Sequence, residues 1–195
     1  LYRVPIEFKN RPIKLDPDFL GAWLGDGPRI KKQITTADKE IKEFLASYAR
    51  RVGLRITERK QRNRTDAFSI VGDRGQGNPI LVELRRLRLT EKKHIPENYK
   101  FNTREVRLQL LAGLIDTDGN KSNNGYEFST INEKLADDMV FLCHSLGFSA
   151  NKKKRSISTN FKGCGFVYRI NINGGVDQIP VKIERKKHQY KKRIN

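Results

Sequence analysis

Two acids close an apolar stretch at residues 111–120, "LAGLIDTDGN". Eight residues with a helical pattern, 111–118, end on Asp116 and Asp118, and Gly119 follows at once. A carboxylate at a helix C-terminus faces the negative end of the macrodipole, at a cost of roughly 0.3–1 kcal/mol. The chain has 40 Lys+Arg against 22 Asp+Glu, a formal net charge of +18, so acids at this position need a reason. A second stretch, "FLGAWLGDG" at residues 19–27, lies on the first: Gly21 matches Gly113, Asp26 matches Asp118 and Gly27 matches Gly119. Two helices packed in parallel would bring Asp26 and Asp118 together, where like charges repel unless a cation lies between them. Hard oxygen ligands with no neighbouring His or Cys point to Mg2+ rather than zinc. Cys143 and Cys164 lack metal-ligand spacing, and His94, His144 and His188 are isolated. For one motif alone, ordinary helix packing is explanation enough. Two matched motifs in a basic chain point instead to a metal held against a phosphate backbone.

The elements that must position these acids repeat as well. After Asp26 comes a short alternating strand (Ile30, Lys32, Ile34), and after Asp118 another (Tyr126, Phe128). Each leads into an amphipathic helix, with apolar faces Ile41, Phe44, Leu45, Tyr48, Val52 and Leu135, Met139, Leu142, Cys143, Leu146. Thr36 and Asn132 suit the N-caps, and Gly53 and Gly147 the C′ positions. The acid-to-glycine spacings are 27 residues (Asp26 to Gly53) and 29 (Asp118 to Gly147). Two strands then follow in each half, 54–59 with 67–71 and 148–155 with 165–172. The first half adds a helix at 79–89, capped by Asn78 with Pro79 at its first position; the second half has only "NGGVDQIP" there. Thr103 or Asn102 caps the second motif helix, with Glu105 in its first turn. Gly21, Gly25, Ala112 and Gly113 form small-residue faces. Glycine inside a helix costs roughly 1 kcal/mol relative to alanine, which close helix–helix approach would explain, while Gly27 and Gly119 let the chain turn away. The division expected is an N-terminal extension (1–14), a first half (15–100) and a second half with a basic tail (101–195). No apolar run approaches the length of a membrane span. Leu1 at the start reads as an excised or processed segment.

Basic residues recur in clusters around 59–64, 85–88, 152–155, 185–187 and 191–193, which favours a polyanion, nucleic acid first. Strand alternation selects an outward face. Lys31, Gln33 and Thr35 lie on it in the first strand, Arg55, Thr57 and Arg59 in the next, with Arg62 and Arg64 in the following turn. In the second half it carries Ser149, Asn151, Lys153, Arg155, Val167, Arg169, Asn171 and Asn173. Such side chains on a ribbon in the major groove read base edges or hold phosphates.

These residues carry a resemblance. "LAGLIDTDG" is a near-complete match to the motif of the LAGLIDADG homing endonucleases, and "FLGAWLGDG" resembles their divergent first motif in the two-motif, single-chain form. "KKHIPENY" (92–99) and "IPVKIERKKHQYKKR" (179–193) resemble segments of endonuclease domains embedded in inteins. The likeness covers roughly 15–193. It implies an α+β fold of two αββαββα halves in pseudo-twofold relation around paired motif helices. Two antiparallel sheets form a DNA-binding saddle. It implies metal-dependent cleavage of both strands of a long duplex site by a monomer with internal symmetry, inside the cell wherever DNA is accessible. Asp26 and Asp118 map onto the metal ligands, with Gly25 and Thr117 beside them, and Mg2+ is the cofactor expected. A lysine near each acid belongs to such active sites. Lys93 is the first, 67 residues after Asp26; Lys187, 69 after Asp118, is favoured as the second over Lys186 and Lys182. With no splice-junction nucleophile at Leu1 and no C-terminal His-Asn pair, the chain reads as an endonuclease domain alone, from a larger intein precursor. The alternatives are a maturase-like RNA binder or an inactive intein insert. Both acids are present, which favours cleavage.

Overall fold

The computed structural model describes residues 4–26, 33–60, 65–73, 75, 77–159 and 163–189. Gly27, Lys31, Arg62, Arg64 and the 191–193 cluster lie outside the described residues. Two helices form the centre: α1 (Pro17–Asp26) and α5 (Arg104–Asp118). The first half continues with β1 (Gln33–Thr35), α2 (Lys39–Arg51), β2 (Arg55–Arg59), β3 (Ala67–Val71) and α3 (Pro79–Arg86); a one-turn α4 (Glu97–Lys100) precedes α5. The second half continues with β4 (Gly119–Ser122), β5 (Gly125–Thr130), α6 (Glu133–Ser145), β6 (Ser149–Thr159) and β7 (Gly163–Asn173). All strand pairing among the described residues is antiparallel, in a sheet of order β1-β3-β2 and another of order β4-β5-β7-β6. The α+β expectation of paired motif helices with two antiparallel sheets holds. After β7 the described residues make only two single 3-10 turns, at 176–178 and 184–186, where the first half has α3.

The small residues of α1 and α5 meet. A methyl added at Gly21 would overlap the Leu110 carbonyl, and one at Gly113 would overlap the Asp18 carbonyl, so neither position accepts a side chain. Around this seam Phe19, Leu20, Trp23, Leu24, Leu110, Leu111, Leu114 and Ile115 are all but fully buried, and they join the apolar faces of α2 and α6 in one core. Backbone contact at van der Waals distance therefore replaces the side-chain layer that normally separates helices by 8–10 Å.

The local signals hold with three corrections. Asn78 and Asn132 cap α3 and α6, accepting from Leu81 N and Leu135 N, and Thr103 caps α5. Gly53 (φ 69°) and Gly147 (φ 87°) end α2 and α6 in the left-handed region. At α2, however, the N-cap is Asp38; Thr36 instead accepts from Asp38 N, closing a turn one step earlier. Gly119 has φ −87°, open to any residue. Its requirement is space, because a Cβ there would press on the Ile115 backbone. The helix expected at 79–89 stops at Arg86, where Leu87 becomes the C-cap and Arg88 takes φ 56°.

Candidate active site at the paired helix ends

Parallel packing of α1 on α5 brings their C-termini side by side. A methyl on Gly25 would collide with Thr117 Oγ1 and lie 3.6 Å from Asp118 Cβ. Asp26 and Asp118, the last residues of the two helices, therefore share one place. Burial raises the pKa of both above the ordinary carboxylate range, and the charge of Asp26 raises Asp118 further. The two acids differ in what they touch. Asp26 accepts the backbone N–H of Thr35 on β1, which partly offsets its burial. The Asp118 carboxylate has no hydrogen-bond partner among the described residues. Thr117 Oγ1 turns back to the carbonyls of Gly113 and Leu114, so its hydroxyl is engaged within its own helix.

Asp116 is not a bare acid. It is buried and accepts the backbone N–H groups of Lys182 (2.9 Å) and Ile183 (3.2 Å), tying the C-terminal segment to α5. The two acids of this motif thus differ: Asp116 anchors chain, and Asp118, half-buried, lines a cleft.

Each helix end receives a lysine. Lys93 Nζ donates to the carbonyls of Leu24 (2.8 Å) and Gly25 (3.1 Å) and lies 5.3 Å from the centre of the Trp23 ring. Lys186 Nζ donates to the carbonyls of Ile115 and Asp116, both at 2.8 Å. Both ammonium groups hydrogen-bond carbonyls of the last helical turn and neutralise the negative end of the dipole, although the Ile115 carbonyl also accepts the Gly119 N–H. This is how the fold tolerates acids at two helix C-termini. Lys93 also favours the charged forms of Asp26 and Asp118, and Lys186 that of Asp118. The lysine that matches Lys93 is therefore Lys186, not Lys187. Lys186 is 4% exposed, and burial lowers its pKa. The Lys187 side chain is 48% exposed and pairs with Glu184 at 2.6 Å. Lys186 lies 68 residues after Asp118, one more than the 67 that separate Lys93 from Asp26, and it ends the 3-10 turn at 184–186.

Beside Asp118 a cleft of about 400 Å³ is lined by Leu24, Gly25, Lys93, Ser129, Asn132 and neighbouring residues. The sheets carry the remaining candidates. In the first sheet Gln33 pairs with Ser69 and Ser69 with Thr57, on the face opposite buried Ile34, Phe68 and Ile70. Arg55 and Arg59 share that face and are exposed. In the second sheet Asn151 lies opposite Asn171, and Lys153 opposite Arg169, again away from buried Tyr168, Ile170 and Ile172. Directly opposed like charges destabilise a strand pair, and Glu127 relieves Arg169 at 3.3 Å. Lys153 and Arg155 stay exposed. Lys152 and Lys154 point the other way: Lys152 pairs with Glu133 and Asp137 of α6, and Lys154 lies over the Phe166 ring.

Sequence reasoning missed Asp18, Asp38 and Asp138. Asp18 pairs with Lys182 at 2.7 Å, Asp38 with Arg185, and Asp138 with Lys100 and Lys134. All are long-range except Asp138–Lys134, which sits at i, i+4 spacing and was open to reading. No helix among the described residues is long and apolar enough to cross a membrane.

A family model for homing endonucleases matches residues 94–190. The chain is 30% identical over 169 residues to the replicative DNA helicase DnaB of Mycobacterium intracellulare, covering 86% of this chain and 25% of that protein. It is 30% identical over 187 residues to the homothallic switching endonuclease of Saccharomyces cerevisiae, covering 80% and 32%. Over 104 residues it is 36% identical to a DNA polymerase of Thermococcus kodakarensis, covering 52% and 6%. The chain thus spans a third or less of the length of these relatives. In structure it superposes on I-DmoI in complex with DNA and Mn at a TM-score of 0.57, with 16% identity over 81% of this chain and 88% of that one. Mesophilic variants of the homing endonuclease I-DmoI match at 0.56 with 16% identity, over 80% and 82%. These structures share the fold.

Proposed function

We propose that this chain, which belongs to the LAGLIDADG homing endonuclease family, is a site-specific endonuclease that hydrolyses both strands of a long duplex DNA site with Mg2+. The observation that carries this reading is the pair of helix ends: two neighbouring carboxylates with raised pKa values, each helix end flanked by a lysine, in a chain whose two sheets carry Arg, Lys, Asn and Gln on their free faces. The acids fit a hard divalent cation. Their mutual repulsion and desolvation are relieved by a metal, and Asp118 has open acceptor capacity. Among the described residues no cluster of three or more His, Cys, Asp or Glu side chains is placed to hold a metal. Two carboxylates, backbone carbonyls near Gly25 and Thr117, water and the phosphate itself suit Mg2+, which keeps several waters. A bound divalent cation there supplies charge neutralisation at the phosphate and acidifies its water. Lys93 and Lys186 hold positive charge beside the reacting phosphate and stabilise negative charge as it develops. Gln33, Arg55, Thr57, Arg59, Asn151, Lys153, Arg155, Arg169 and Asn171, with Lys31, Arg62 and Arg64, form the proposed DNA-contacting set.

An intein origin is part of this proposal. The same segment matches small fractions of chains with otherwise different names, a helicase and a polymerase among them, as expected of an insert carried from host to host. We divide the chain at 15–100 and 101–195, with 1–14 as an extension, and read it as acting as a monomer. Incubation with a library of long duplex sites and Mg2+, with the ends sequenced, tests the function. Paired cuts a few base pairs apart at one sequence family are expected. Tight RNA binding with no cut in any duplex would overturn it.

A further inference from the structure

We infer that the N-cap residue of each half's second helix, Asp38 on α2 and Asn132 on α6, is a positioning residue for the lysine of the opposite half. Each half ends in a tail that leaves its own sheet and crosses to the other. The tail of the first half, 93–100, lies on α6: Asn132 Nδ2 donates to the Lys93 carbonyl at 2.7 Å, and the Asp138 carboxylate accepts the Ile95 N–H at 3.0 Å and the Lys100 ammonium. The tail of the second half, 182–187, lies on α2: Asp38 takes both Nε (3.2 Å) and Nη2 (2.9 Å) of Arg185, and Glu40 accepts the Glu184 N–H at 3.1 Å. The gripped residue is the lysine itself in one case and its immediate neighbour in the other. Asp38 and Asn132 occupy equivalent places, the N-caps of two 13-residue helices that follow β1 and β5, the strands paired to β3 and β7 in their sheets.

The chemistry at the two caps supports a purpose beyond ending a helix. Asp38 makes no side-chain capping bond although Asp is among the best N-caps; its carboxylate is engaged by Arg185 instead. Asn132 does both, accepting from Leu135 N with Oδ1 and donating to the tail with Nδ2. Immediately around Lys93 and Lys186 the regular structure is one 3-10 turn, so the grip on the backbone of Lys93 and on the side chain of Arg185 sets where each ammonium lands. A shift of about 1 Å in such a group costs on the order of 10²-fold in rate. Each half-site is therefore complete only when the other half is folded against it, which ties the two strand cuts to one folded unit.

This inference rests on the nuclease reading for its kinetic consequence but not for its structural one. Asn132→Asp keeps an N-cap acceptor and removes the donor to Lys93. It should slow the strand cut that Lys93→Ala slows, by roughly 10–10²-fold, with DNA affinity and the other cut unchanged. Asp38→Ala should do the same to the strand governed by Lys186. Added to Lys93→Ala, Asn132→Asp should have no further effect, since residues acting through one group are not additive. Amine labelling of the DNA-free, metal-free protein, read by mass spectrometry, supplies the second measurement. Lys93 should label faster in Asn132→Asp and Lys186 faster in Asp38→Ala, the opposite lysine keeping its wild-type rate. Wild-type labelling at both lysines, or equal slowing of both cuts, overturns the inference. Selective labelling changes in a protein that cuts no duplex would leave the positioning standing and remove the nuclease reading instead.

Discussion

The two helix ends are built from the same parts and restrained differently. On α1, Asp26 is held by the Thr35 N–H, and Lys93 lies along the Trp23 ring at the rim of a cleft. On α5, Asp118 has no partner among the described residues, and Lys186 is buried with its pKa lowered. Internal symmetry has reproduced positions but not surroundings. The first acid is pinned by a backbone N–H; the second has the charges of Lys93 and Lys186 near it but no hydrogen bond among the described residues. The second half also carries longer strands, 11 residues in β6 and β7 against five in β2 and β3. The two half-sites should therefore respond unequally to pH and to substitution.

The largest effect expected is at the acids. Asp26→Asn or Asp118→Asn should abolish double-strand cleavage, beyond the ~10²–10³-fold cost of losing one preorganised donor, while binding in a gel-shift assay stays near normal. A contrast should separate them. Asp118→Asn removes a desolvated charge facing Asp26 with no bond to lose, so the metal-free variant should melt higher than wild type; Asp26→Asn loses its charged bond to Thr35 and should gain less. Equal shifts would dissolve the asymmetry. For the wild type, Mg2+ should raise the melting temperature at pH 8. Because both carboxyl pKa values are raised, protons compete from above the ordinary carboxylate range, so this metal effect should fade on acidification before an unperturbed Asp would titrate.

The lysines come next. Lys93→Ala and Lys186→Ala should each slow one strand by about 10²–10³-fold in single-turnover reactions, so nicked duplex accumulates. Lys187→Ala should cut at close to the normal rate. A slow Lys187→Ala with a normal Lys186→Ala would reverse the geometric assignment.

A smaller change is expected from the sheet of the second half. Removing Lys153 and Arg155 together should weaken DNA binding and flatten the salt dependence by roughly 0.9 in log K per log salt for each phosphate no longer neutralised. The same change at Arg55 and Arg59 should do less, because Arg55 is already paired with Asp73. Equal slopes would place both sheets alike on the duplex.

The smallest effect concerns stability. Burial pushes the Asp18 carboxyl up to about 6 in spite of Lys182, and its Oδ1 has no hydrogen-bond partner among the described residues. Because the folded-state pKa lies above the unfolded one, the folded state gains stability below about pH 4 and loses it as pH rises through about 6. Asp18→Asn should thus improve relative to wild type between pH 4 and 7.5, by on the order of 2 kcal/mol, read as the difference between urea-unfolding curves at the two pH values. A difference independent of pH would mean that Asp18 is ionised at no net cost.

What the sequence by itself determined is whatever rests on near neighbours. The motif helices, their glycine seam, the apolar faces of α2 and α6, the caps at Asn78, Asn132 and Thr103 and the strand faces all follow from periods of 3.6 and 2 and from the chemistry of single residues. The pairing of Asp26 with Asp118 was legible too, because a repeat carries its own symmetry. Tertiary structure alone decided which lysine reaches the second helix end. Lys186 lies one position from the residue that the repeat's offset selects, a difference that a count of positions cannot resolve, and it is Lys186 rather than Lys187 that meets the α5 carbonyls. It alone decided that Asp116 anchors backbone while Asp118 stands open, since two acids two apart in a helix differ by what lies across from them. It also alone decided that Asp38 faces Arg185, 147 residues away. Charge complementarity over such a distance leaves no periodic trace; it exists only once the tails have crossed.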